Sequence, residues 1–219
     1  MKYHKKLSKK GFTLAEVLIT LGIVGVVAAI TLPSISAKIQ KNMLVEQLKT
    51  FYSSFTNAIN LYMYKGGYED FSQTIFADSS VSFEDKKEHF ISEVLEKNLQ
   101  GKRTNVTITE DCLKGDKRCF TYSFDYVTSK GSLIKFEKSM WNSLFTIYFD
   151  TNGTKGPNRV GLDAFRFYFY DSPVPKQAYQ RDTDYACTGC GDSCNLAASS
   201  PTGYGCWARI MREGWKINY

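Results

Sequence analysis

Residues 12–32 read FTLAEVLITLGIVGVVAAITL, and this stretch decides the architecture. It carries one charge, Glu16, in 21 residues. As a helix it would span roughly 31 Å, about the thickness of a bilayer's hydrocarbon core. Lys2, Lys5, Lys6, Lys9 and Lys10 precede it, and no comparable basic cluster closely follows. The asymmetry predicts that residues 1–11 face the cytoplasm and that the C-terminal side lies outside. An ordinary secretory signal ends on a small-residue cleavage site. Ala28-Ala29 could serve as one, but more apolar sequence follows, and here the small residue Gly11 stands before the apolar run. Glu16 is costly in a lipid-facing helix, less so near the interface than at the bilayer centre. Two readings are open: it snorkels to the headgroups, or it awaits a cationic partner. A cut after Gly11 would create such a cation at the new amine of Phe12.

Working outward, Pro33 is expected to kink the helix, with Gly22 and Gly25 loosening it further. Beyond it, apolar residues recur at Ile35, Ile39, Met43, Leu44, Leu48, Phe51, Tyr52, Phe55, Ile59 and Tyr62. Steps of three and four predict an amphipathic continuation over 34–65, ended by Gly66-Gly67. The two halves together would make a helix of roughly 80 Å. Its lower half would sit in lipid, and its upper half would pack on a globular head at 66–219. The expected architecture is an α+β lollipop.

The string Gly11-Phe12-Thr13-Leu14-Ala15-Glu16, between a Lys-rich leader and a long apolar helix, resembles the class III signal of the type IV pilin and type II secretion pseudopilin superfamily. The resemblance covers residues 1 to about 65. It implies a structural subunit, not an enzyme. A prepilin peptidase would cut between Gly11 and Phe12 and N-methylate Phe12. Glu16 would pair with the amine of an adjacent subunit and set axial register in a filament. The Gly22-to-Pro33 stretch resembles the segment that loosens when subunits enter the filament. The implied partners are other subunits, the peptidase, the cytoplasmic membrane and its assembly platform. The implied location is a single-pass inner membrane protein that passes into a periplasmic or surface filament.

In the head, residues 83–98 read as a second helix, with Phe83, Phe90, Ile91, Val94 and Leu95 on one face. Residues 105–109, 119–127, 132–136, 144–149 and 165–170 read as strands, rich in Phe, Tyr, Ile, Val and Thr. Short consecutive strands predict an antiparallel sheet packed on the helix. Residues 171–205 read as irregular loop, and CWARIMREGWKINY as a closing strand or helix.

Two constellations could carry chemistry. The first runs from Asp150 through Asn152, Gly153, Gly156, Pro157, Asn158 and Gly161 to Asp163. Asn-Gly and Gly-Pro signal turns, so a plain hairpin loop is one reading. The other is a structural calcium site using Asp150, Asn152, Asp163 and loop carbonyls. The stretch resembles a DxNGxKGPNxxGxD loop of pseudopilin-like proteins, and in major pseudopilins a nearby loop binds calcium. The second constellation is six cysteines, Cys112, Cys119, Cys187, Cys190, Cys194 and Cys206, all beyond the apolar run. Export favours disulfides over zinc at Cys187, Cys190, Cys194 and Cys206. Cys112 and Cys119 could close their loop directly, and the C-terminal four would staple a Cys-rich loop region. Six cysteines allow 15 pairings, so the connectivity stays open.

Composition narrows the remaining classes. The formal net charge is +6, but the five leader lysines account for nearly all of it and leave 23 bases against 22 acids. No basic nucleic-acid surface is expected. Lys102-Arg103 and Lys117-Arg118 read as solvated loop faces. The two histidines are His4 and His89, the latter expected on an exposed helix face, and there is no HExxH or P-loop. No cofactor is required by this reading. A tip-displayed minor pilin that binds a surface or DNA, and a membrane-anchored exported enzyme, stand as alternatives.

Overall fold

A computed structural model describes residues 11–138, 145–169, 194, 196, 197, 203 and 205–219. The chain divides into two compact units, 1–40 and 41–219. Helix α1 runs from Leu14 to Gly66 and continues across Gly22, Gly25 and Pro33. In the first unit its apolar side chains are unburied: Leu18, Leu21, Val24, Ile30 and Leu32 all stand more than half exposed. A helix of this length and apolarity meets the requirements for crossing a membrane. A side chain at Gly22 or Gly25 would meet only open space.

The second unit is an α+β head in three layers. From Leu44 onward α1 becomes amphipathic, burying Leu44, Leu48, Phe51, Phe55, Ile59 and Tyr62. Against this stripe lies a five-stranded antiparallel sheet in the order β1-β4-β5-β6-β7. Its strands are β1 (Gly101–Arg103), β4 (Tyr126–Thr128), β5 (Leu133–Lys138), β6 (Phe145–Asp150) and β7 (Ala164–Phe169). Among the described residues β1 pairs only with β4, and all three of its residues are exposed. Phe145, Ile147 and Phe149 point from β6 into the same core as α1. The alternate residues of β6, Thr146, Tyr148 and Asp150, face the other way and are buried too. What covers them is a second, two-stranded sheet of β2 (Thr107–Asp111) and β3 (Arg118–Ser123). Ile108, Tyr122, Phe124, Leu133 and Tyr148 form the packed layer between the two sheets.

The helix read over 83–98 is two pieces. α2 (Phe83–His89) starts on Ser82, whose hydroxyl accepts from the Asp85 amide at 3.2 Å. A wider π-helical stretch, Phe90–Glu96, follows and buries Phe90, Ile91, Val94 and Leu95. Other sequence expectations need correction. The strand read over 119–127 is split: the Phe124 amide donates to Val106, while the Asp125 carboxylate accepts from the Phe136 amide at 2.8 Å. These bonds send β3 and β4 into different sheets. His89 is half-buried rather than on an exposed face, and its Nε2 lies 3.1 Å from the Tyr62 hydroxyl.

The chain closes with α3 (Cys206–Arg212), so CWARIMREGWKINY supplies a helix. Trp207 is buried against Phe167 and Phe165 of β7. A disulfide joins Cys112 to Cys119 across the β2–β3 connection, and another joins Cys194 to Cys206. Cys187 and Cys190, with most of the expected 171–205 loop, lie outside the described residues. Lys102-Arg103 belongs to β1 rather than a loop, and Arg103 reaches Glu88 and Glu96.

Candidate functional site

The signal segment is open. Gly11 and Phe12 are exposed, Phe12 at 89%. Within the chain itself, Glu16 bonds to the residue that opens the helix. Its Oε2 accepts from the Thr13 amide and the Thr13 hydroxyl, both at 2.8 Å, while the Thr13 hydroxyl accepts from the Glu16 amide at 3.2 Å. This reciprocal pair is a capping box that satisfies the first donors of α1. The T-x-x-E signature at 13–16 was legible in the sequence. The carboxylate is thereby held at the helix start, next to the residue whose amine a cut after Gly11 would free.

The second site is the loop from Asp150 to Asp163, between β6 and β7. Asp150 is fully buried, and its Oδ1 accepts from the Asn152 amide at 2.9 Å and the Gly153 amide at 2.6 Å. Gly153 takes φ 70°, which a side chain would resist, and it packs against the Gly131 carbonyl. Asp163 is fully buried at the far end of the loop. Its Oδ2 accepts from the Asn158 amide at 2.8 Å and its Oδ1 from the Arg159 amide at 2.7 Å. The Asp163 carbonyl accepts from the Thr151 amide at 2.8 Å, which ties the two ends together. The Asn152 side-chain amide donates to Gly156 at 3.2 Å, and the Gly156-Pro157 bond is cis. Asp150, Asn152 and Asp163 thus all belong to one hydrogen-bonded loop.

Sequence reasoning missed Glu110. This residue of β2 is 2% exposed, and its Oε1 has no hydrogen-bond partner. The next residue joins β2 to the loop: the Asp111 amide donates to the Asn158 carbonyl at 2.8 Å, and the Val160 amide to the Asp111 carbonyl at 2.9 Å. Burial, then the Asp163 charge, pushes the Glu110 carboxyl up to about 8. Burial, then the charges of Asp163 and Glu110, pushes Asp150 up to about 9. Burial raises Asp163 as well, against the lowering pull of the Arg159 and Asn158 amides. Asp150 Oδ2, Asn152 Oδ1 and Asn158 Oδ1 are also buried without partners. Among the described residues, no three His, Cys, Asp or Glu side chains form a ready metal cluster. Any cation here would draw on amide and carbonyl oxygens as well as carboxylates, the usual donor mix for a hard cation.

A cleft of about 570 Å³ opens on the head, lined by Glu46, Gln47, Ser54, Asn57, Lys130 and, from the loop, Thr151 among others. Its lining holds neither His nor Cys.

Residues 6–32 match the family model described as the prokaryotic N-terminal methylation motif. The chain therefore carries the class III prepilin signal that its Gly11-to-Glu16 string resembles. No curated protein and no solved structure matches the chain.

Proposed function

We propose that this chain is a structural subunit of a type IV pilus-like or type II secretion filament. The observation that carries the reading is the methylation motif over residues 6–32, set on the unburied apolar start of a 53-residue helix. In this reading the chain enters the cytoplasmic membrane with its leader inside and its head outside. A prepilin peptidase cuts between Gly11 and Phe12 and methylates Phe12. Glu16 then exchanges its bonds from Thr13 for the amine of a neighbouring subunit, which fixes axial register. The transfer replaces neutral donors with a cation, which adds direct attraction between opposite charges in a low-dielectric setting.

The Asp150–Asp163 loop serves as a structural calcium site in the same reading. Asp150 and Asn152 supply side-chain oxygens, and Asp163 holds the loop backbone through its bonds to Asn158 and Arg159. Calcium would offset the cost of burying these acids together.

Mass spectrometry of the mature N-terminal peptide, from native membranes and from sheared surface material, tests the function. A chain beginning at N-methylated Phe12 in both fractions is expected. An intact Met1 leader, or a cut after Ala29, would sink the reading. Glu16→Ala is expected to leave the protein in the membrane and remove it from the sheared fraction.

A further inference from the structure

We infer that Glu110 is a direct ligand of the calcium ion, so that the cation joins the β2–β3 hairpin to the main sheet. This rests on the calcium reading of the Asp150–Asp163 loop and extends it to a residue 40 positions upstream.

Strand parity carries the placement. Ile108 and Glu110 share one face of β2, and both are buried while Thr107 and Thr109 are exposed. Tyr148 and Asp150 share one face of β6. Ile108 and Tyr148 belong to the same packed layer between the sheets. Glu110 and Asp150 each lie two residues further along, so both acids leave that layer on its inner faces. A register shift between Glu110 and Asp111 then turns β2 toward the loop. Asp111 forms an isolated parallel bridge with Arg159, four residues before Asp163. The loop, the end of β6 and the end of β2 therefore meet around these side chains.

The donor inventory fits one hard cation. Asp163 spends both oxygens on backbone amides. Glu110 Oε1 and Asp150 Oδ2 are the carboxylate oxygens left buried without partners, alongside the amide oxygens of Asn152 and Asn158. These two carboxylate oxygens, two amide oxygens and loop carbonyls supply the ligands, and Asp163 adds negative charge beside them. Apolar packing alone gives no reason to place a glutamate where β2 repeats the inward position of Ile108. A buried carboxylate oxygen without a partner is disfavoured.

The test is calorimetric titration of calcium into the full-length, chelator-treated protein in detergent micelles. The wild type is expected to bind one ion. Glu110→Gln keeps the shape of the side chain and removes its charge. It is expected to weaken binding at least about tenfold, because affinity follows the number of charged ligands. Asp150→Asn is expected to abolish binding, and Asp116→Asn, an exposed acid in the Cys112–Cys119 loop, to leave it unchanged. If Glu110→Gln binds like the wild type while Asp150→Asn fails, the loop site stands and the Glu110 assignment falls. An equal loss in Asp116→Asn would reduce the effect to bulk charge and overturn the assignment. If the wild type takes up no calcium at millimolar concentration, both readings fall. Should circular dichroism show Glu110→Gln misfolded, Glu110→Asp decides: it keeps the charge at shorter reach, so weakened binding supports the assignment and wild-type affinity overturns it.

Discussion

Phe51 of α1 lies almost flat on Phe149 of β6, with ring centroids 3.7 Å apart and planes 14° from parallel. The pair is where the helix meets an inner strand of the five-stranded sheet, and both rings are buried. Truncating either one leaves a cavity that surrounding rings cannot fill without moving. Phe51→Ala and Phe149→Ala are each expected to destabilise the protein by about 3–5 kcal/mol. The double variant should fall short of additivity by about 0.5–1.5 kcal/mol, the coupling of the stacked pair. Chemical denaturation followed by Trp fluorescence measures both quantities. Additive losses would show that the rings contribute only separately.

The Cys194–Cys206 disulfide fixes the start of α3, where the Arg209 guanidinium also donates to the Cys194 carbonyl at 2.6 Å. Replacing both cysteines by Ser is expected to cost about 2–4 kcal/mol. Dithiothreitol should lower the melting temperature of the wild type more than that of this double variant. Equal shifts would mean that the Cys194–Cys206 bridge adds no stability.

His89 gives a pH dependence. Burial holds its imidazole below the usual value of 6.5, and Lys97 pushes the same way against the opposing charge of Glu93. Tyr62 lies on one side of the ring and Phe76 stands edge-on to it. The unfolded chain therefore takes up the proton first. Stability is expected to fall as pH drops through 6.5 and to level off below the folded midpoint. The effect should be small, because the ring keeps contact with water. An NMR titration of the imidazole should give a midpoint below 6.5, and His89→Gln should flatten the dependence. A midpoint at or above 6.5 would contradict this account.

Thr13 caps α1 through its hydroxyl and amide. Thr13→Val removes the side-chain acceptor, a loss of about 1 kcal/mol for the first turn. Amide exchange at Glu16 and Val17 should speed up severalfold in detergent, with the amides beyond Thr20 unchanged. No change in exchange would mean that the cap is made some other way.

The long helix was legible because two simple signals agreed: an unbroken apolar run, then steps of three and four that end at Gly66. The five main strand regions were legible from alternation. The split after Ser123 was not, because FTYSFDYV alternates straight through it. What divides the strand is a tertiary bond, from the Phe136 amide to Asp125, and no local pattern announces that. β1 was missed for a related reason: Gly101, Lys102 and Arg103 have no strand preference and pair only because β4 is already in place. The Asp150–Asp163 loop announced itself by its turn residues. Glu110 did not, since its partners are distant in sequence, yet one clue was present: it repeats the parity of Ile108 in an alternating strand, where an apolar residue would be expected.

β1 has a consequence for crowding. A sheet's outermost strand offers unpaired backbone groups to any passing chain. Here that strand is three residues long, bears Lys102 and Arg103 on its exposed surface, and has Arg103 tied down by Glu88 and Glu96. A foreign strand would find too few hydrogen bonds to gain and two charges to displace. Pairing of a second head along this edge is thereby disfavoured.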